Sequence, residues 1–168
     1  MISFQEFCKA LRNNGYQTYG RYQGFMEACE MASIQDRDEA AMFLASLIYA
    51  SDGLKYTKEC DPKTINESKR IYGRYISRGF FPLKSIENYK AVSVDLGENY
   101  YDNPEKIEKE EHAWKVSCWF WQMYCKKYVS DGFTKLTDLV FKINPDSRPK
   151  IENVYTIVCK SFGIETKF

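Results

Sequence analysis

Histidine occurs once in these 168 residues, at His112, so the chain all but lacks the commonest metal ligand and general base. The six cysteines (Cys8, Cys29, Cys60, Cys118, Cys125, Cys159) show no Cys-x-x-Cys pair and no Cys/His spacing of a zinc site. No metal and no cofactor is expected, and the sequence does not choose among the possible cysteine pairings. His112 stands in the glutamate-rich stretch EKEEHAW, where a solvated or capping role is expected. An excess of either charge is missing too: 24 Lys and Arg against 23 Asp and Glu leave a net charge of +1. That balance argues against a nucleic-acid clamp and a binder of anionic membranes, both of which recruit phosphate with clustered positive charge. No run approaches eighteen consecutive apolar residues, so no membrane span is expected. The opening MISFQEFCKALRNN has neither the basic start nor the unbroken apolar run of a signal peptide. The expected setting is extracellular or the cell wall if a leader has been removed, and otherwise the cytosol.

Repeats, low-complexity tracts and linkers are also absent, and the length suits one domain over residues 1–168, expected to be monomeric. What is abundant is aromatic: 13 Tyr, 11 Phe and 3 Trp make 16% of the chain, with tyrosine in excess. Such a set serves a core with polar handles or a surface that stacks on sugars.

Ser3-Phe4-Gln5-Glu6 reads as a capping box opening a helix that ends near Asn13-Asn14-Gly15. Residues 21–32 form a second helix, and Asp36 opens a third, apolar nearly all round and therefore central and buried, that runs out at Ala50-Ser51-Asp52-Gly53. From there to residue 84, Asp61-Pro62, Arg78-Gly79 and Phe81-Pro82 punctuate the chain, and short extended pieces are expected rather than long helices. Helical spacing resumes over 85–96, after Asn103-Pro104, and over 134–143 and 149–162. The fold class is α+β, mostly α, with about seven helices. Trp114, Trp119 and Trp121 are expected in the core rather than on a sugar platform.

FLASLIYASDGLKYTKE (43–59) resembles a pattern of the plant-type chitinases, glycoside hydrolase family 19, and their lysozyme-like relatives. There a buried helix reads Phe-Leu-Ala-Gln, two residues, then His-Glu-Ser or His-Glu-Thr, with a second glutamate nine residues after the first. Other landmarks follow in the family's order: Gly15-Tyr16 and Thr18-Tyr19, YISRGFFPLKSIENY (75–89), DNPEKI (102–107), WKVSCWFW (114–121) and Ile143-Asn144. The resemblance spans roughly residues 15–163. It implies a lysozyme-like, two-lobed single domain with a central buried helix and a cleft for a β-linked N-acetylglucosamine polymer.

The departures fall where the chemistry would occur. Inverting hydrolysis needs an acid that protonates the leaving oxygen and a carboxylate that activates water. By resemblance the acid position is Ala50, which has no proton to give, and the base position is Glu59. The family's His is Tyr49, its substrate-contacting Gln is Pro82 and the following Thr or Ser is Lys84, while its later sugar-binding Arg falls on Ile151, with Arg148 a substitute only by a register shift. Asp52, two residues and about 200° round a helix from Ala50, could substitute only if the helix ends at Ala50. Tyr56, Tyr75, Asn88, Tyr89 and Asn144 match or adjoin positions that line or support the family's cleft. The reading that follows is a catalytically inactive chitinase-like protein that binds chitin or a related N-acetylglucosamine polysaccharide. Two rivals stay open: a divergent hydrolase using Glu59 with Asp52, and an interaction or structural protein that keeps only the scaffold.

Overall fold

The computed structural model describes residues 1–168. Eight α-helices carry the chain: α1 (Phe4–Asn13), α2 (Tyr22–Met31), α3 (Arg37–Ser51), α4 (Pro62–Tyr72), α5 (Ile86–Leu96), α6 (Glu110–Phe120), α7 (Phe133–Val140) and α8 (Arg148–Phe162). Each of the well-marked starts is made by the side chain that the sequence offers. The Ser3 hydroxyl accepts from the Glu6 N–H (3.1 Å) while the Glu6 carboxylate accepts from the Ser3 N–H (2.8 Å), and Asp36 accepts from the Glu39 N–H (2.7 Å). Gly97 and Gly163 stop α5 and α8 in the left-handed conformation.

Helix α3 is buried on almost every side from Glu39 to Ile48, because α8 packs along it and the aromatic rings of Phe25, Phe81 and Trp121 close on Phe43. Around it lies a core of 34 buried residues. Glu39, inside that core, accepts from the Trp121 indole N–H (2.9 Å) and pairs with Lys126 (3.1 Å), so its charge is not left alone in an apolar setting. A second core of eight buried residues, centred on Tyr89, joins α5 to the loops around it and to one face of α6. The two cores are the two lobes, and Phe120 and Tyr124 pack against both. Trp114, Trp119 and Trp121 are all buried.

The β contribution is confined to two isolated bridges, Lys58 with Arg78 and Arg78 with Leu83. Three expectations need correction. Residues 62–72 form a full helix, because Asp61-Pro62 is a start and not a break: the Asp61 carboxylate accepts from the Thr64 N–H (3.0 Å) and Pro62 occupies the first turn. That helix buries no residue, so it has no apolar stripe by which to be recognised. The segment after Asn103-Pro104 begins as a 3-10 turn, Pro104–Glu108, and α6 starts only at Glu110. His112 is buried, only 8% exposed, with its Nδ1 2.9 Å from the Tyr100 hydroxyl. Its glutamate neighbours in sequence point elsewhere on the helix, which turns about 100° per residue.

Candidate functional site

Three stretches of chain meet in a groove between the lobes. The C-terminal end of α3 brings Ala50, Ser51 and Asp52, the loop after it brings Tyr56, Lys58, Glu59 and Cys60, and the segment 77–82 brings Ser77, Gly79 and Pro82. They enclose a cavity of about 380 Å³. A second cavity, of about 450 Å³, shares Ala50 and Pro82 with the first and continues past Tyr49 to Asn144, Ser147 and Lys150. The two cavities therefore adjoin at Ala50 and Pro82, which form the waist of the groove between them.

The Glu59 loop is fixed by its surroundings. The Thr57 hydroxyl donates to the Glu108 carbonyl (2.7 Å), the Gly79 N–H donates to the Thr57 carbonyl (2.7 Å), and Glu108 pairs with Lys58 (3.4 Å) and Arg78 (3.6 Å). Gly79 has φ +93°, and a Cβ there would stand 3.2 Å from the Phe81 carbonyl, so this close approach requires glycine. One oxygen of Glu59 accepts from the backbone N–H groups of Cys60 (3.1 Å) and Asp61 (2.9 Å), which holds the exposed carboxylate against its own loop. No cluster of three or more His, Cys, Asp or Glu side chains is grouped to hold a metal ion.

This architecture has solved counterparts. Chitinase C from Streptomyces griseus HUT6037 superposes with a TM-score of 0.81 at 22% identity, over 99% of this chain and 78% of that one. A bacterial family 19 chitinase gives 0.82 at 20% identity, over 99% of this chain and 97% of that one. The fold is that of the family 19 chitinases. A class IV family 19 chitinase from Zea mays superposes over 88% of this chain and 83% of its own at 16% identity, with a TM-score of 0.69. No family sequence model matches the chain, and no curated protein matches it by sequence.

On this chitinase-type fold the residues singled out in the sequence separate into two groups. Ala50, Asp52, Tyr56 and Glu59 line one cavity, and Asn144 lines the next. Asp52 gets there against expectation, for α3 runs through Ser51 and not merely to Ala50. Its left-handed backbone (φ 53°, ψ 55°) breaks the helical spacing from which its direction was inferred. The phenol of Tyr16 is raised above its ordinary pKa by burial and then by the neighbouring Asp52 carboxylate.

The second group stands outside these two cavities, although Asn88 lines a further one with Phe120 and Tyr124. Tyr89 is fully buried: its hydroxyl donates to the Ile76 carbonyl (2.7 Å) and accepts from the Arg78 guanidinium (3.1 Å), and burial pushes its pKa up to about 12. Tyr75 donates to the Tyr101 carbonyl (3.0 Å) and stacks on the Tyr101 ring. Asn88 donates to the Lys84 carbonyl (2.9 Å) and accepts from the Tyr124 hydroxyl (3.1 Å), which ties the small lobe to the shared seam. Ile151 is buried, and Arg148 is held by Thr137, Asp138 and Glu152 and lines neither cavity. Sequence reasoning missed Lys58, Cys60, Lys142 and Lys150 as lining residues. Lys58 and Cys60 flank Glu59, Lys142 adjoins Ile143-Asn144 and Lys150 adjoins Ile151, so all four could have been found by adjacency.

Proposed function

We propose that this chain is a carbohydrate-binding protein on a chitinase-type scaffold that has lost glycoside hydrolysis, acting as a monomer on N-acetylglucosamine-containing polysaccharide outside the cell or in the cell wall. The observation that carries the reading is Ala50: its methyl group lines the groove in the same cavity as Glu59, at the place where the family resemblance sets the general acid. Losing a general acid costs about 10²–10⁴ in rate. Pro82, at the waist beside it, removes an amide side chain and a backbone donor together. What supports binding is the groove itself, open between two lobes, with the exposed Tyr56 ring and the Asn144 amide along it.

A specific observation favours the divergent hydrolase as a second reading: Asp52 shares the cavity with Glu59. One experiment separates the two. Chitohexaose is titrated into the purified protein while amide chemical shifts are followed and the sugar is analysed for shorter products. The expected result is saturable shifts at Tyr56, Glu59 and Asn144 with the hexamer intact. Turnover that disappears in both Asp52→Asn and Glu59→Gln would establish the enzyme instead, and no saturable change at millimolar sugar would leave a scaffold without a sugar ligand.

A further inference from the structure

The two ends of the groove differ in charge. At the Glu59 end the lining carries two carboxylates, Asp52 and Glu59, and one lysine, Lys58. Beyond the Ala50–Pro82 waist it carries Lys142 and Lys150 and no carboxylate. An adjacent aromatic cavity of about 380 Å³, lined by Phe120 and Tyr124, adds Lys127 and again no carboxylate.

The acids of that neighbourhood are engaged or stand aside. Asp138 and Glu152 pair with Arg148, and Asp146 is exposed and outside the cavity lining. The Lys150 ammonium instead lies 5.9 Å from the centroid of the Tyr49 ring, the side chain that stands where the family has histidine. Lys142 has φ +50°, a left-handed conformation that favours glycine or asparagine, yet a lysine is there. Asn144 uses its carbonyl oxygen to cap the Ser147 N–H (2.8 Å), which leaves its amide nitrogen available as a further donor.

Uncharged chitin offers a pair of ammonium groups hydroxyl and acetamide oxygens to bond to, but no negative charge to balance theirs. We propose that the groove binds an anionic glycan that contains N-acetylhexosamine and carries a carboxylate or sulfate on alternate sugar units. The anionic unit lies at Lys142 and Lys150, and a neutral one at Tyr56 and Glu59. Ala50 lines both cavities, so a glutamate there would place a negative charge beside the anionic sugar and would compete for Lys150. The missing acid at position 50 and the two lysines then serve one end, the acceptance of a negative ligand. This inference rests on the sugar-binding reading above and narrows its ligand.

The test is calorimetric titration of three probes, chitohexaose, a hyaluronan hexasaccharide (carboxylate only) and a keratan sulfate hexasaccharide (sulfate only), at low and high salt. One or both anionic probes should bind at least about tenfold tighter than chitohexaose at low salt and lose that advantage at high salt. Lys142→Gln with Lys150→Gln, and separately Ala50→Glu, should each remove about tenfold of the anionic affinity and leave chitohexaose unchanged. The control Lys9→Gln with Lys160→Gln, outside the groove, should change neither. Chitohexaose binding as tightly as both anionic probes would overturn the inference and leave the sugar-binding reading standing. Equal loss in the control pair would overturn it in favour of diffuse polyanion attraction. Binding of none of the three would overturn both.

Discussion

The large core gathers 34 buried residues round Phe43 on helix α3, while the small one gathers eight round Tyr89. In the large lobe the contacts are chiefly aliphatic and phenylalanine rings with no polar tip to satisfy. In the small lobe four large aromatic side chains each end in a hydrogen bond: Tyr75 to the Tyr101 carbonyl (3.0 Å), Tyr89 to the Ile76 carbonyl (2.7 Å), Tyr100 to His112 (2.9 Å) and Trp119 to Asp95 (2.7 Å). Eight residues bury too little apolar area to fix a unique arrangement by packing alone. Directional bonds from half-polar rings supply the specificity that extra bulk supplies next door. Three tyrosines, Tyr75, Tyr89 and Tyr100, are thus structural parts of the smaller core, and only Tyr56 of the tyrosines first assigned to a sugar cleft lines the groove.

If that contrast holds, the lobes fail differently. Phe43→Ala should cost about 3–5 kcal/mol and lower the stability of the whole chain, read as a shifted urea midpoint with one transition. Gly24→Ala comes next. A Cβ there would stand 2.0 Å from the Trp114 indole nitrogen where α2 crosses α6, and the forced repacking should cost about 1–3 kcal/mol with a change in Trp fluorescence. Tyr89→Phe should cost about 1–2 kcal/mol by stranding the Ile76 carbonyl and one Arg78 N–H. Its signature is local: amide exchange should quicken over residues 75–100 while α3 and α8 keep their protection. Quickening spread evenly over both lobes would break the comparison.

A smaller effect is the pH dependence that His112 lends to the small lobe. Burial, and then Lys106, hold its pKa below the ordinary value near 6.5, so between the two values the unfolded chain binds the extra proton. This contribution is complete above about pH 6.5 and is lost as pH falls. Stability of the parent should decline more between pH 6.5 and 5.5 than that of His112→Gln, measured by urea titration. The smallest effect is on stability itself. Cys60 alone of the six unbridged thiols is exposed, so a thiol reagent should label one equivalent of the native protein quickly without shifting its midpoint. The other five lie in the interior, where burial pushes Cys29 and Cys118 up to about 12.

Helices with a capping side chain and an apolar stripe, α1 and α3, could be read directly, because both signals are local and both act in the folded chain. Helix α4 has the cap without the stripe, since nothing packs on it closely enough to bury a residue, and Asp61-Pro62 was read as a boundary in the wrong sense. His112 misled for the opposite reason, its sequence neighbours being polar while its helical face is buried. Of the site, Ala50 and Glu59 could be paired through the family resemblance, and the structure sets both on one cavity. Tyr75, Asn88 and Tyr89 came with the same resemblance but stand outside those two cavities, Asn88 lining instead the aromatic one of Phe120 and Tyr124. Their hydroxyl and amide groups bond to partners from 4 to 36 residues away, which no local pattern encodes.

By itself the sequence determined the helices' main starts and stops and the buried central helix, which depend on residues within a few positions of one another, and, through the resemblance, the missing carboxyl at position 50. It also determined a net charge of +1, which says nothing of where the charges lie. Only the tertiary structure decided that Asp52 turns into the groove, that Tyr75, Tyr89 and Tyr100 brace a small lobe, and that Lys142 and Lys150 line one cavity across the waist from Glu59. Charge acts over several ångströms of space and not along the chain, so a neutral total can hide a groove with one acidic and one basic end.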